Sequence, residues 1–310
     1  MPSPLRIRPR LRALGMRAIR QLQHRALRVQ VREHTDPRGR TTPVLDVGVA
    51  RRGTLVWLHG FSDRFDSILQ VAPHLRSDWR IVSPSMPAFG EGWVDASELH
   101  TFDAYAAWMS ALLTDLVDSA VLPPQFHLMG NSLGGATALG VTARVPELVK
   151  SVVALNAAGV RLDDVRCAQE EIADGHNLFR IEAREDYERL QGRIFAHRPK
   201  IPAWIGQHLF EEMRRHADWY TRLGEDMAKS EVRAEGDGWH ALVPLHEVTR
   251  PTLVLWGAED GLFPVAHGER MAASVVNGRL ETLPNIGHAA HVERPKALAE
   301  AFRRWAASQS

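Results

Sequence analysis

Three polar residues far apart in the 310-residue chain suit nucleophilic acyl chemistry: Ser132, Asp260 and His288. A serine hydroxyl is a weak nucleophile at neutral pH, so it needs a base within reach, and the base needs an acid that orients it. Ser132 lies in Gly130-Asn131-Ser132-Leu133-Gly134, a G-x-S-x-G pattern. Taken alone the pattern is modest, because roughly one chain in ten of this length carries it by chance when Gly is near 7% of residues. Its surroundings add weight. The apolar run Phe126–Met129 precedes it, and Gly135–Arg144 reads as a helix that Pro146 ends. Ser132 is thereby expected at the apex of a strand–tight turn–helix, where flanking glycines let backbone crowd the turn and the helix dipole favours developing negative charge.

The acid and the base follow the same logic. Pro251–Gly257 reads as a buried strand, and Ala258-Glu259-Asp260 follows at its carboxyl end. A helix over 266–276, a strand over 279–283 and the loop 284–288 come next. Acid and histidine thus leave successive strands at one edge of a sheet. Glu259 competes for the acid role, with Asp163 and Asp164 a third choice; the shorter aspartate side chain at 260 is the easiest to fix. His291 is expected as a structural or helix-start residue. Donors for an oxyanion are expected from the backbone N–H of Leu133 and of Phe61, which follows the strand ending Leu58-His59-Gly60. His59 is expected to fix that loop. No His-Glu-x-x-His or Cys-x-x-Cys arrangement occurs, so no metal is expected.

These residues must be held by a sheet. Strands are expected over 27–32, 43–50, 54–58, 80–83, 126–129, 151–155, 251–256 and 279–283, with a helix over 102–116. Buried apolar strands alternating with helical stretches predict a mostly parallel central sheet with helices on both faces, and the two leading strands, joined without a helix, predict an antiparallel edge. Between 160 and 246 no buried-strand run appears; 185–195 and 204–227 read as amphipathic helices. The predicted organisation is an arm over 1–27, a core over 28–160 and 247–310, and an inserted helical cap over 161–246. The cap's aromatics are Phe179, Tyr187, Phe195, Trp204, Phe210, Trp219, Tyr220 and Trp239. They are expected chiefly as its own core, with Trp204, Phe210 and Trp219 as candidates to line a substrate pocket.

The formal charge of +1 hides an asymmetry. Residues 1–40 hold eleven Arg against Glu33 and Asp36, a net +9 that leaves −8 elsewhere. Leu11, Leu14, Ala18, Leu22 and Ala26 recur at helical steps among Arg12, Arg17, Arg20 and Arg25. That helix is expected to lie against the body of the protein or a neighbour, with peripheral contact to anionic lipid or a targeting role as the alternatives. Nucleic acid is not an expected partner, since no basic patch interleaved with aromatics continues into the body. No stretch approaches the ~20 apolar residues of a membrane span. The single cysteine, Cys167, excludes an intramolecular disulfide framework and fits a reducing, cytoplasmic setting.

Four blocks stand in a telling order: Leu58-His59-Gly60-Phe61, Gly130–Gly135, Gly257–Pro264, and Gly287-His288 through Glu293-Arg294-Pro295. Together they resemble the signature blocks of the α/β-hydrolase fold family, and most of all its capped bacterial carboxylesterases and lipases. The resemblance implies hydrolysis of a small-molecule or lipid ester by Ser132, His288 and Asp260 without a cofactor. The same serine triad also serves carbon–carbon bond hydrolases and perhydrolases, and a membrane-associated acyltransferase or a non-enzymatic receptor on this fold are further alternatives. The family commonly has Asp-x-Pro-Gly-x-Gly after its next strand; this chain has Ser85-Met86-Pro87-Ala88-Phe89-Gly90, which leaves that loop's shape open. Oligomeric state is not encoded in any of these motifs.

Overall fold

The computed structural model describes residues 9–236 and 238–309; the first eight residues of the 1–27 arm lie outside them. Helix α1 (Pro9–Leu27) leads into strands β1 (Gln30–Thr35), β2 (Thr41–Gly48) and β3 (Gly53–Leu58), then α2 (Ala72–Leu75), β4 (Trp79–Pro84), α3 (Phe102–Asp118), β5 (Phe126–Asn131), α4 (Leu133–Arg144) and β6 (Val149–Leu155). An insertion follows, with β7 (Val160–Leu162), α5 (Ala168–Ala173), α6 (Arg184–Ile194), α7 (Ala203–Arg215), α8 (Ala217–Ala228), β8 (Arg233–Gly236) and β9 (Trp239–Ala241). The chain closes with β10 (Thr252–Gly257), α9 (Val265–Ser274), β11 (Gly278–Leu283), α10 (Ala290–Glu293) and α11 (Pro295–Ala307).

Eight strands form one sheet in the order β1-β2-β4-β3-β5-β6-β10-β11, antiparallel from β1 to β4 and parallel from β4 onward. The period-two alternation explains why it is covered on both sides. Val56 and Leu58 of β3 join Leu128, Val152 and Val254 in a core that includes α3 and α4, while Leu55 and Trp57 join Met129, Val153, Leu255 and Phe302 in a second core under α11. Each of these side chains is sealed from water, and burying one contributes about 1.5–3 kcal/mol.

The insertion departs from the sequence reading in two respects. It is not purely helical: β7, β9 and β8 pair in a small antiparallel sheet. Its strands are only three or four residues long, too short for a periodic signal. The predicted helix over 204–227 is two helices, α7 and α8, broken at His216 (φ −101°, ψ 9°) with neither Gly nor Pro to mark the break.

Helix α1 also turns its faces opposite to the simplest expectation. It packs on α7, where Arg12 is buried against Glu211 and Trp204 lies over Gly15, and Arg20 pairs with Asp66 at 3.0 Å. The apolar stripe faces outward: Leu11, Leu14 and Leu22 are 57%, 58% and 64% exposed. The buried side is the one whose arginines pair with acids distant in sequence. No described helix is long and apolar enough to cross a membrane.

Candidate active site

The register of the parallel strands brings their carboxyl ends to one edge. Leu155 of β6 pairs with Asn131 of β5 on one side and Leu255 of β10 on the other, and Gly257 pairs with Leu283 of β11. Ser132 follows β5 directly, in a backbone conformation (φ +56°, ψ −118°) that L-residues adopt only under constraint. The constraint is visible in the flanking glycines. A Cβ on Gly130 would stand 2.0 Å from the Gly134 carbonyl oxygen, and one on Gly134 would stand 2.1 Å from that of Leu58. Helix α4 therefore presses against the end of β3, and the loop after β3 passes beside Ser132.

Asp260 leaves β10 at that edge, buried, with every carboxylate lone-pair direction in use. Its Oδ1 accepts from the N–H groups of Leu262 (2.8 Å) and Phe263 (3.0 Å), and its Oδ2 accepts from Asn156 Nδ2 (2.7 Å) and lies 2.8 Å from His288 Nδ1. Since a carboxylate only accepts, the His288 ring carries its proton on Nδ1, and Nε2 is the free basic nitrogen. The His288 carbonyl accepts from Asn131 Nδ2 at 3.0 Å, which ties the histidine's backbone to the neighbour of Ser132. The competing acids stand elsewhere: Glu259, Asp163 and Asp164 are exposed, and Asp163 faces His240 at 3.4 Å.

The loop carrying Phe61 is held from below by His59. Its Nδ1 bonds the Gly60 carbonyl at 2.9 Å and its Nε2 accepts from the Met86 N–H at 3.0 Å. That pattern requires the neutral ring, and complete burial lowers its pKa accordingly. Met86 belongs to the loop whose shape the sequence left open; there Met86, Ala88 and Phe89 are buried, and Phe89 meets Phe61 at 5.0 Å between ring centroids. Among the described residues, no hydrogen bond occupies the N–H of Phe61 or of Leu133. Cys167 is buried and its thiol is pushed up to about 12 by burial first and Glu170 second, so it is chemically quiet.

Beside Ser132 opens a cavity with about 630 Å³ of space between its atoms, mouth included. Phe61, Leu133, Phe179, Leu242 and Phe263 give it an apolar wall, with Phe61 and Phe179 stacked at 4.0 Å. The three predicted pocket aromatics are not in that wall. Trp204 packs on α1, Phe210 meets Tyr187 at 5.8 Å within the insertion, and the Trp219 indole donates to the Ala88 carbonyl at 3.0 Å. Amphipathic spacing marks which side of a helix is apolar but not which apolar neighbour it meets.

Sequence reasoning also missed three supporting residues. Asn156 feeds Asp260 and accepts from the Gly257 N–H at 3.2 Å; it directly follows the end of β6, as Ser132 follows β5, but without a motif around it. Glu293 accepts from the N–H groups of Ala196, His197 and Gly287. With His288 N–H donating to the Ile194 carbonyl at 2.7 Å, the end of α6 is stitched to the histidine loop. Asp63 bonds His291. No group of three or more His, Cys, Asp or Glu is arranged to hold a metal ion among the described residues.

The family model described as the alpha/beta hydrolase fold matches residues 53–295. The chain belongs to the α/β-hydrolase fold family. It is a hydrolase. Lipase 3 of Moraxella sp. (strain TA144) is 23% identical over 249 residues, which are 80% of this chain and 76% of the lipase. A 2-hydroxy-6-oxo-6-phenylhexa-2,4-dienoate hydrolase of Comamonas testosteroni is 25% identical over 239 residues, 76% of this chain and 78% of that enzyme. Among solved structures, a bacterial membrane phospholipase A superposes with a TM-score of 0.84 at 23% identity, covering 96% of this chain and 92% of its own, which shows the shared fold.

Proposed function

We propose that this α/β-hydrolase cleaves carboxylic esters through a covalent acyl-enzyme on Ser132. The carrying observation is the pair of His288 Nδ1 and Asp260 Oδ2 at 2.8 Å, on the sheet edge where the Ser132 elbow borders an apolar cavity. In this reading His288 Nε2 takes the Ser132 proton as Oγ attacks the ester carbonyl. The Phe61 and Leu133 N–H groups receive the oxyanion, each donor contributing roughly 10²–10³ in rate. Asp260 stabilises the imidazolium, which then protonates the leaving alcohol, and water repeats the sequence on the acyl-enzyme. The segment 161–246 serves as a cap over the cavity. Similarity to lipases supports esters, and the dienoate hydrolase among the relatives names the competing chemistry.

The test is turnover of p-nitrophenyl acyl esters from acetate to palmitate beside a dienoate substrate, with wild type and Ser132→Ala. Ester turnover lost in the variant, with its thermal unfolding unchanged, supports the reading. Dienoate cleavage without ester cleavage, or full activity in Ser132→Ala, overturns it.

A second reading concerns location. The outward stripe of Leu11, Leu14 and Leu22, flanked by the exposed Arg10, Arg17 and Arg25, has the chemistry of a helix lying on an anionic bilayer. Flotation with phosphatidylglycerol vesicles, abolished by Leu14→Gln with Leu22→Gln, is the expected result; no binding by the wild type ends this idea.

A further inference from the structure

Two polar side chains in the cavity wall have no part in the acyl-transfer steps. Arg161 is the middle residue of β7, Gln169 the second of α5, and apart from Ser132 every other residue lining the cavity is apolar or glycine. The orientation of the Gln169 amide is set by its surroundings. Its Oε1 accepts from the Gly159 N–H at 3.0 Å, so its NH₂ group points to the other side as a donor.

That NH₂ has no acceptor among the described residues, and neither does the Nε–H of Arg161; both atoms are sealed from solvent. The nearest carboxylate, Glu170, leaves 3.9 Å between its Oε1 and Arg161 Nε, beyond hydrogen-bond reach, while its Oε2 is engaged by the Cys167 N–H at 2.7 Å. One third of the Arg161 side chain remains exposed. Buried donors without acceptors are costly in a folded protein, and an oxygen from water or a ligand relieves that cost. A guanidinium beside an amide NH₂ matches an anionic oxygen group better than a neutral one, because charge-assisted bonds are the stronger.

We propose that Arg161 and Gln169 form an anion subsite, so that the preferred substrates carry a carboxylate or phosphate group remote from the scissile carbonyl. This deepens the ester-hydrolase reading and rests on it for the word substrate. Arg161 and Gln169 bind the anion; they take no part in breaking the bond.

Matched substrates separate the two sources of negative charge. Mono-p-nitrophenyl succinate against p-nitrophenyl butyrate places a carboxylate on the acyl side, and oleoyl lysophosphatidic acid against monooleoylglycerol places a phosphate on the alcohol side. In Arg161→Met, kcat/KM for the charged member of at least one pair should fall by on the order of 10- to 100-fold, chiefly through KM, with the neutral partner little changed. Arg161→Lys should restore part of the loss, and Gln169→Leu should show a smaller one. An unchanged charged-to-neutral ratio in both pairs overturns the proposal. Calorimetric titration of Ser132→Ala protein with adipate and with uncharged 1-hexanol, with and without Arg161→Met, reads the subsite without turnover. Adipate binding that depends on Arg161 sustains the subsite even if no ester is cleaved, and adipate binding left unchanged by Arg161→Met sinks it.

Discussion

Two His–Asp pairs lie three residues apart on the same stretch of chain, and they use opposite ring nitrogens. His288 meets Asp260 through Nδ1 at 2.8 Å, while His291 meets Asp63 through Nε2 at 3.2 Å. Asp260 is additionally fed by two backbone amides and Asn156, whereas the Asp63 side chain is 28% exposed. The first pair leaves the far nitrogen, Nε2, clear of the carboxylate, on a loop tied through the His288 carbonyl to Asn131, the neighbour of Ser132. The second leaves Nδ1 of His291 buried without a partner, beneath the Phe61 loop and against Trp57 at 5.2 Å. The same two residue types thus hold the proposed base in one place and form a brace in the other. What separates them is which nitrogen the carboxylate takes.

The strongest way to break this contrast is Asp260→Asn. An amide at 260 donates as readily as it accepts, which allows the wrong tautomer of His288, and kcat for an ester should fall about 10⁴-fold while the fold survives. A fall below tenfold would make the two pairs equivalent and remove Asp260 from its role.

A third buried histidine, which has no acid at all, supplies the reference. His127 near the amino end of β5 bonds Ser151 Oγ at 2.8 Å, and Ser151 Oγ also accepts from the Trp305 indole at 3.1 Å. Burial, with Lys150 adding to it, lowers its pKa from 6.5 to about 4. Above pH 6.5 neither the folded nor the unfolded ring is charged, so the group is silent there. As the pH falls from about 6.5 to about 4 the unfolded chain takes up a proton that the folded one refuses. This removes about 3 kcal/mol of stability, at 1.36 kcal/mol per pH unit. Urea titrations of wild type and His127→Gln across that range should show a shallower acid-side decline in the variant; parallel curves would contradict the assignment.

The smallest effect is expected at the brace. Asp63→Asn should cost about 1 kcal/mol of stability and change kcat by less than about fivefold. A larger loss of kcat, with the thermal midpoint unmoved, would promote His291 and Asp63 to a direct part in the reaction.

The sheet was legible because its strands are short apolar runs with sharp ends, and a residue placed just beyond such an end is announced by the run itself. Ser132, Asp260 and His288 all occupy such positions. Asn156 does too, but asparagine is so ordinary in turns that nothing singled it out. Residues whose surroundings depend on the insertion were not readable. Arg161 and Gln169 share a cavity with Phe61 and Ser132, Phe179 stacks on Phe61, and Glu293 takes Ala196 and His197, and nothing local in their sequence announces it. Helix α1 makes the same point from the other side: its apolar stripe was plain, yet the buried side is the one whose arginines pair with Glu211 and Asp66.

The bonds from Ile194 and from Glu293 to Ala196 and His197 make the end of α6 a fulcrum. A displacement of residues 193–197 would drag the His288 loop with it and shift the proposed base. Any widening of the mouth that leaves the machinery intact therefore has to pivot about that point, with the travel taken up by α5, α8 or the small sheet on the far side.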